Sequence, residues 1–258
     1  MTSLPSIITP SLLSSIRSRP HLPVNTWYFI AATTLSQLNR PDEIQKVYLH
    51  ALNQKLPDAD ATENAVPSLD EKRDISRRIR EALVKAAAVT GVPKTINALL
   101  ELKKVAPEEL LDEPQSPSPT GRRSDVYDTP VTQILKRGQD FFEGIYGKIT
   151  KRVMGQMDRS GTEDLGIIAR LVYGYILSNT NVLSAVDTSY VMMAGLIPQD
   201  VNPQLKGHLR GALNGGATVE EVKAVRGIVM DICVASGMQM LDGNAPAGFG
   251  WRVEPADL

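Results

Sequence analysis

The chain has 258 residues, enough for one large domain or two smaller ones around a real core. Apolar residues make up 42% and charged residues 22%; 28 Lys plus Arg against 29 Asp plus Glu leave a net charge of −1. This ordinary globular mixture has no overall basic field to draw it to nucleic acid or an anionic membrane, and no apolar run reaches the ~18–20 residues of a membrane span.

Residues 1–41 contain no Asp or Glu but carry Arg17, Arg19 and Arg40 among many serines. That composition fits a mitochondrial transit peptide; more readily, it fits a polar lead-in (1–23) interrupted by Pro5, Pro10, Pro20 and Pro23. The C-terminal Ala-Asp-Leu departs from the peroxisomal Ser-Lys-Leu address. A single cysteine, Cys233, excludes an intrachain disulfide and a cysteine metal cluster, and suits a reducing compartment. The expected location is therefore cytoplasmic, with mitochondrial as the alternative.

Between residues 24 and 105 the pattern is helical. Ile79, Ala82, Leu83, Ala86, Ala87 and Val89 recur near a 3.6-residue period. Residues 106–130, "APEELLDEPQSPSPTGRRSDVYDTP", are rich in Pro, Ser and charge without periodicity, and read as an exposed, mobile linker. A second helical half follows over 131–241, where Val219, Val222, Val225, Val229, Ile232 and Cys233 form another stripe. A tail covers 242–258. Ser68/Glu71, Ser184/Asp187 and Thr218/Glu221 each fit a capping box at a helix start. Strand signals are scarce, Ile7-Ile8 being short, so the expected fold is all-α.

The two halves resemble each other. "ALN" closes a helix at 51–53 and again at 212–214, each time after an Asn and a Pro. "IREALVKAAAVTGV" (79–92) aligns without a gap with "VRGIVMDICVASGM" (225–238), pairing Arg80 with Arg226 and Gly91 with Gly237. Residues 54–70 lengthen the loop of the first copy. An internal duplication is expected.

The stretch "SAVDTSYVMMAGLI…PQLKGHLRGALNGGATVEEVKAV" (184–225) resembles the core of the carboxymuconolactone decarboxylase-like, or AhpD-like, superfamily. That pattern has a helix of small and apolar residues, a helix ending His-x3-Ala-Leu-x-x-Gly, and a capped helix opening Thr-x-Glu-Glu-Val. "WYFIAATTLSQL" and "VTGVPKTINALLELKKV" look like its opening and closing segments in the first half. The resemblance implies an all-helical fold and a symmetric homo-oligomer. Its thiol-peroxidase branch needs Glu-x11-Cys-x2-Cys-x3-His, but here Ser189, Val201 and Gln204 stand before His208, so only the histidine remains. One cysteine cannot close a dithiol cycle, and Cys233, on its apolar stripe, reads as packing.

The decarboxylase branch, by resemblance, uses the helix histidine beside an apolar pocket. His208 shares a face with Leu205, Leu209 and Ala212, so it should point inward with a lowered pKa and act as acid or base. Tyr190 and Asp187 are further catalytic candidates; Gln204, Tyr173 and Asn179 are candidate substrate contacts. Each also has a structural reading, Asp187 as a cap and the tyrosines as core. Arg210 is expected on another face. The repeat partner of His208 is Val47, and His50 stands at the place of Gly211, so the first half lacks the candidate group. Gly215-Gly216 reads as a turn, not a phosphate loop. No metal spacing and no cofactor motif is present, and neither nucleic acid nor membrane is an expected partner. The functional expectation is acid/base chemistry, decarboxylation (a lyase) or lactone handling, on a small organic metabolite. The alternative is a catalytically degenerate oligomeric binding or scaffold protein; an antioxidant peroxidase stands below both.

Overall fold

The computed structural model describes residues 4–53, 67–112, 117–243 and 248–258. Most of the loop expected to lengthen the first repeat (54–66) and part of the expected linker (113–116) lie outside the described residues. The chain is all-α. Its helices are α1 (Pro10–Arg17), α2 (Trp27–Gln37), α3 (Ile44–Leu52), α4 (Leu69–Thr90), α5 (Val92–Val105), α6 (Arg122–Tyr127), α7 (Val131–Tyr146), α8 (Thr150–Met157), α9 (Asp164–Val172), α10 (Ala185–Leu196), α11 (Asn202–Asn214) and α12 (Val219–Ala235). Among the described residues the extended elements are β1 (Gln239–Met240) and β2 (Gly250–Trp251), which pair in parallel. No helix is long and apolar enough to cross a membrane among these residues.

Local sequence explains the helix starts. Ser68, Ser184 and Thr218 each accept from the backbone three residues on, while Glu71, Asp187 and Glu221 reach back to the cap N–H. Ile7-Ile8 is not a strand; it is buried coil, and the Ile8 N–H donates to the Glu43 carboxylate at 2.8 Å.

α2 and α10 are apolar on nearly all sides and buried along most of their length (all but Gln37 in α2, and from Thr188 on in α10), forming the centre of the molecule. Around them the packing is reciprocal. α3 and α4 pack on α2 as α11 and α12 pack on α10, while α4 crosses to α10 and α12 crosses to α2. Buried residues of both halves form one core. Backbone detail follows the same register. Asn39 and Asp200, at matching places before α3 and α11, both hold φ 58°, and Gly91 and Gly237, closing α4 and α12, hold φ 84° and 92°. Arg80 grips the Leu110 carbonyl and Asp112, and its counterpart Arg226 grips the carbonyls of Pro255 and Ala256. Lys85 of α4 binds the chain that leads into α10, and Asp231, at the aligned place in α12, pairs with Arg19 of the chain leading into α2. Each half clamps the entry of the other.

Three stretches read from sequence as peripheral are built into this frame. Ile7, Ile8, Leu13 and Ile16 join the core, so the acid-free N-terminal segment is not free lead-in; Arg19 and Arg40 find their carboxylates on Asp231, Asp42 and Glu43. The described parts of 106–130 are docked rather than loose: Leu110 is buried, Asp112 holds Arg77 and Arg80, and α6 is tied down through Arg122 to Glu81 and through Asp125 to Arg137. In the tail, Trp251 is buried and its indole N–H donates to the Ile197 carbonyl at 2.8 Å.

Candidate functional site

α11 starts with Pro203 in its first turn, and Leu205, Leu209 and Ala212 carry it against α10. His208 goes inward with them and is only 5% exposed. Burial pushes its imidazole down to about 4 from 6.5. Nδ1 has no hydrogen-bond partner, and the ring meets Tyr146 edge-on, centroids 6.3 Å apart. The imidazole is therefore neutral near pH 7. So low a pKa makes it a weak proton acceptor there, and among the described residues no carboxylate orients it.

Tyr146, at the end of α7, is the hub that sequence reasoning missed. Its ring lies tilted against Phe142 (4.3 Å), and Phe142 in turn meets the Tyr173 ring edge-on at 4.7 Å. Burial raises the pKa of both hydroxyls. Gln204 is exposed and lines, with Tyr146 and Gly207, a groove of about 890 Å³ whose lining does not include His208. Of the candidates, His208, Tyr173 and Gln204 thus gather around Tyr146.

The others stand apart. Asp187 is engaged by the Ser184 cap and by Arg78 at 3.4 Å. Tyr190 is buried in α10, its hydroxyl pKa raised by burial and by the charges of Glu221 and Asp187. Asn179 is buried and its carboxamide donates to the Thr120 carbonyl at 2.6 Å, tying the 106–130 segment to the core. Cys233 is fully buried with its thiol pKa raised, which holds it protonated and out of thiolate chemistry. No group of three or more metal-ligating side chains assembles among the described residues.

The strongest polar constellation was also missed. α9 widens into a π turn at Tyr173–Leu177, and three cations converge on its carbonyls. Lys85, fully buried, donates to the carbonyls of Leu177 (2.7 Å) and Asn179 (2.6 Å) and lies 3.7 Å from Glu81. Arg122 forks onto Glu81 at 2.6 and 2.5 Å and donates to the carbonyls of Tyr175 and Ile176. Arg137 forks onto Asp125 and donates to Ser178 and the Gly174 carbonyl. Burial lowers the Lys85 pKa to about 7. With its donors committed to carbonyls and a carboxylate, Lys85 is a clamp rather than a nucleophile. Its signal was legible: Glu81 and Lys85, four apart, interrupt an otherwise apolar helix face.

Two curated relatives cover most of the chain. The Schizosaccharomyces pombe protein named Peroxisomal protein 2 is 38% identical over 213 residues, 82% of this chain and 87% of that one. The Saccharomyces cerevisiae protein of the same name is 30% identical over 258 residues, 85% of this chain and 91% of that one. The chain belongs to the Peroxisomal protein 2 family. No protein-family model and no solved structure matches it. These relatives overturn the cytoplasmic and mitochondrial assignments read from composition. They equally displace the functional readings, since the family is named for an organelle and not for decarboxylation, lyase, lactone or peroxidase chemistry. The composition misled because acid-free Arg/Ser segments arise wherever arginines find carboxylates elsewhere in the fold, as Arg19 does on Asp231. His208 carried the chemical reading because its position matched the resemblance; among the described residues its surroundings supply no orienting carboxylate, and it does not line the groove over α11.

Proposed function

We propose that this protein is peroxisome-associated and works there on an AhpD-like helical architecture. The observation that carries the reading is the 38% identity to the Schizosaccharomyces pombe relative across most of both chains. The architectural part is supported by the motif over 184–225 and by the reciprocal packing of α2, α4, α10 and α12. To test it, the chain is tagged with a fluorescent protein at the N-terminus and, separately, at the C-terminus, because either tag can mask an address. At least one fusion should coincide with a peroxisomal marker and become diffuse in cells that lack peroxisomes. Diffuse or mitochondrial signal from both fusions overturns the reading.

Self-association belongs to the same proposal. Leu165, Ile168 and Leu171 form an exposed apolar stripe on α9, a face suited to a second copy of the chain. Ile168→Lys should then lower the mass seen by sedimentation; a wild-type monomer at every concentration sinks this part.

A further inference from the structure

The groove over α11 is walled by four cations: Lys148 and Arg152 on one side, Lys206 and Arg210 of α11 on the other. Lys206 and Arg210, four apart in α11, share a helical face, and Lys148, in the tight turn that leads into α8, adds its charge to that of Arg152; like charges so gathered disfavour themselves unless something negative lies between. No carboxylate lines the groove, and none of the four forms an ion pair among the described residues. The neighbouring groove between α7, α8 and α9 is different. Glu143 and Asp158 line it, and of its three cations Lys136 and Arg170 are neutralised by Asp140 and Asp158, leaving Lys151. In a chain of net charge −1, such a concentration of unpaired positive charge is local and specific.

The remaining wall says what kind of anion fits. Gln156, Gln204 and Asn214 add carboxamides, and the Asn214 side chain is held by its donation to the Ile145 carbonyl at 2.8 Å. Ile149, Val153, Pro203 and the Tyr146 ring supply apolar surface beside the charges. Two guanidinium forks bind phosphate oxygens in pairs, and two ammonium groups add point charge. A volume of about 890 Å³ is that of a small-molecule site rather than of a track for a polymer. We propose that this groove binds a small organic molecule carrying two or more phosphate groups, with its phosphates between Arg152, Arg210, Lys148 and Lys206.

The test is calorimetry on the full chain with ADP and with inorganic pyrophosphate, at low and at physiological salt. Expected is saturable binding of one or both, weaker at higher salt, and weakened at least about tenfold in Arg152→Gln/Arg210→Gln. The control Lys103→Gln/Lys223→Gln removes the same charge from exposed positions outside the groove and should bind like wild type. All four substituted cations of the two double variants are exposed, so both proteins should keep the wild-type helical spectrum. Equal loss in the two double variants would mean diffuse attraction and would overturn the site. So would the absence of saturable binding, or binding confined to vesicles containing phosphatidylserine, which would reassign the groove to a lipid surface.

Discussion

Lys85, Arg122 and Arg137 end on carbonyls and carboxylates inside the fold, whereas Lys148, Arg152, Lys206 and Arg210 end in an open groove without an ion-pair partner among the described residues. The two clusters contain the same residue types, and the difference lies in what surrounds them. Lys85 is fully buried and must be paired or its desolvation is uncompensated, and the half-buried Arg122 and Arg137 fork onto the buried carboxylates of Glu81 and Asp125, so the first cluster is committed to architecture: it caps the π turn and joins α4, α6 and α7. An exposed cation is tolerated unpaired, which leaves the second cluster available to something from outside. Charge near a helix therefore identifies a binding surface only where the fold has not already used it.

The contrast can be broken most forcefully at Glu81. Glu81→Ala leaves the fully buried Lys85 and the half-buried Arg122 without their carboxylate and should cost about 3–5 kcal/mol in urea unfolding. A loss under about 1 kcal/mol would mean that the buried cluster is not the lock described here.

Next in size is the effect of acid on the interior. Between about pH 6.5 and about 4 the unfolded chain protonates His208 while the native fold excludes the proton. The unfolded state then binds more protons, so stability falls as pH falls through this window, by roughly 3 kcal/mol once pH is near 4. Unfolding midpoints of wild type and His208→Asn across pH 4–7 check it: the variant should lack this limb, and parallel curves would contradict the burial of the ring.

A steric probe of the same junction is smaller. A Cβ on Gly138 would sit 2.6 Å from the backbone nitrogen of Gly174, because α7 crosses the π turn backbone to backbone. Gly138→Ala should cost about 1–3 kcal/mol and loosen the carbonyls that Arg137 and Arg122 hold; hydrogen exchange at residues 174–179 should rise with it.

The smallest effect sharpens the other side of the comparison. Lys148→Gln and Lys206→Gln, singly, should change stability by no more than about 0.5 kcal/mol, or raise it slightly by relieving like-charge repulsion. A thermal midpoint that drops as far as in Glu81→Ala would make these cations structural after all.

Much of this could be read in advance where the information is local. Capping boxes at Ser68, Ser184 and Thr218, the 3.6-residue stripes and the aligned Gly91 and Gly237 depend on neighbours within a turn or two, and residue order alone carries them. The inward direction of His208 and its lowered pKa followed from Leu205, Leu209 and Ala212 on the same face. Partnership over long range did not follow. Residues 106–130 looked loose because their composition is polar, but Asp112 and Arg122 are held by Arg77, Arg80 and Glu81 some 30 to 40 residues away in α4. The N-terminal segment looked like a lead-in because Asp231, 212 positions on, is invisible to any window. Arg210 does lie on another face of α11 than His208, but that α8 packs across this face and makes it one wall of a groove did not follow from residue order. The order of residues specified which helices form and which of their faces are apolar, since periodicity and capping are set by chemistry a few residues apart. Packing alone specified which charges are spent and which are spare, because an ion pair costs or stabilises according to distance and burial, and both are properties of helices brought together.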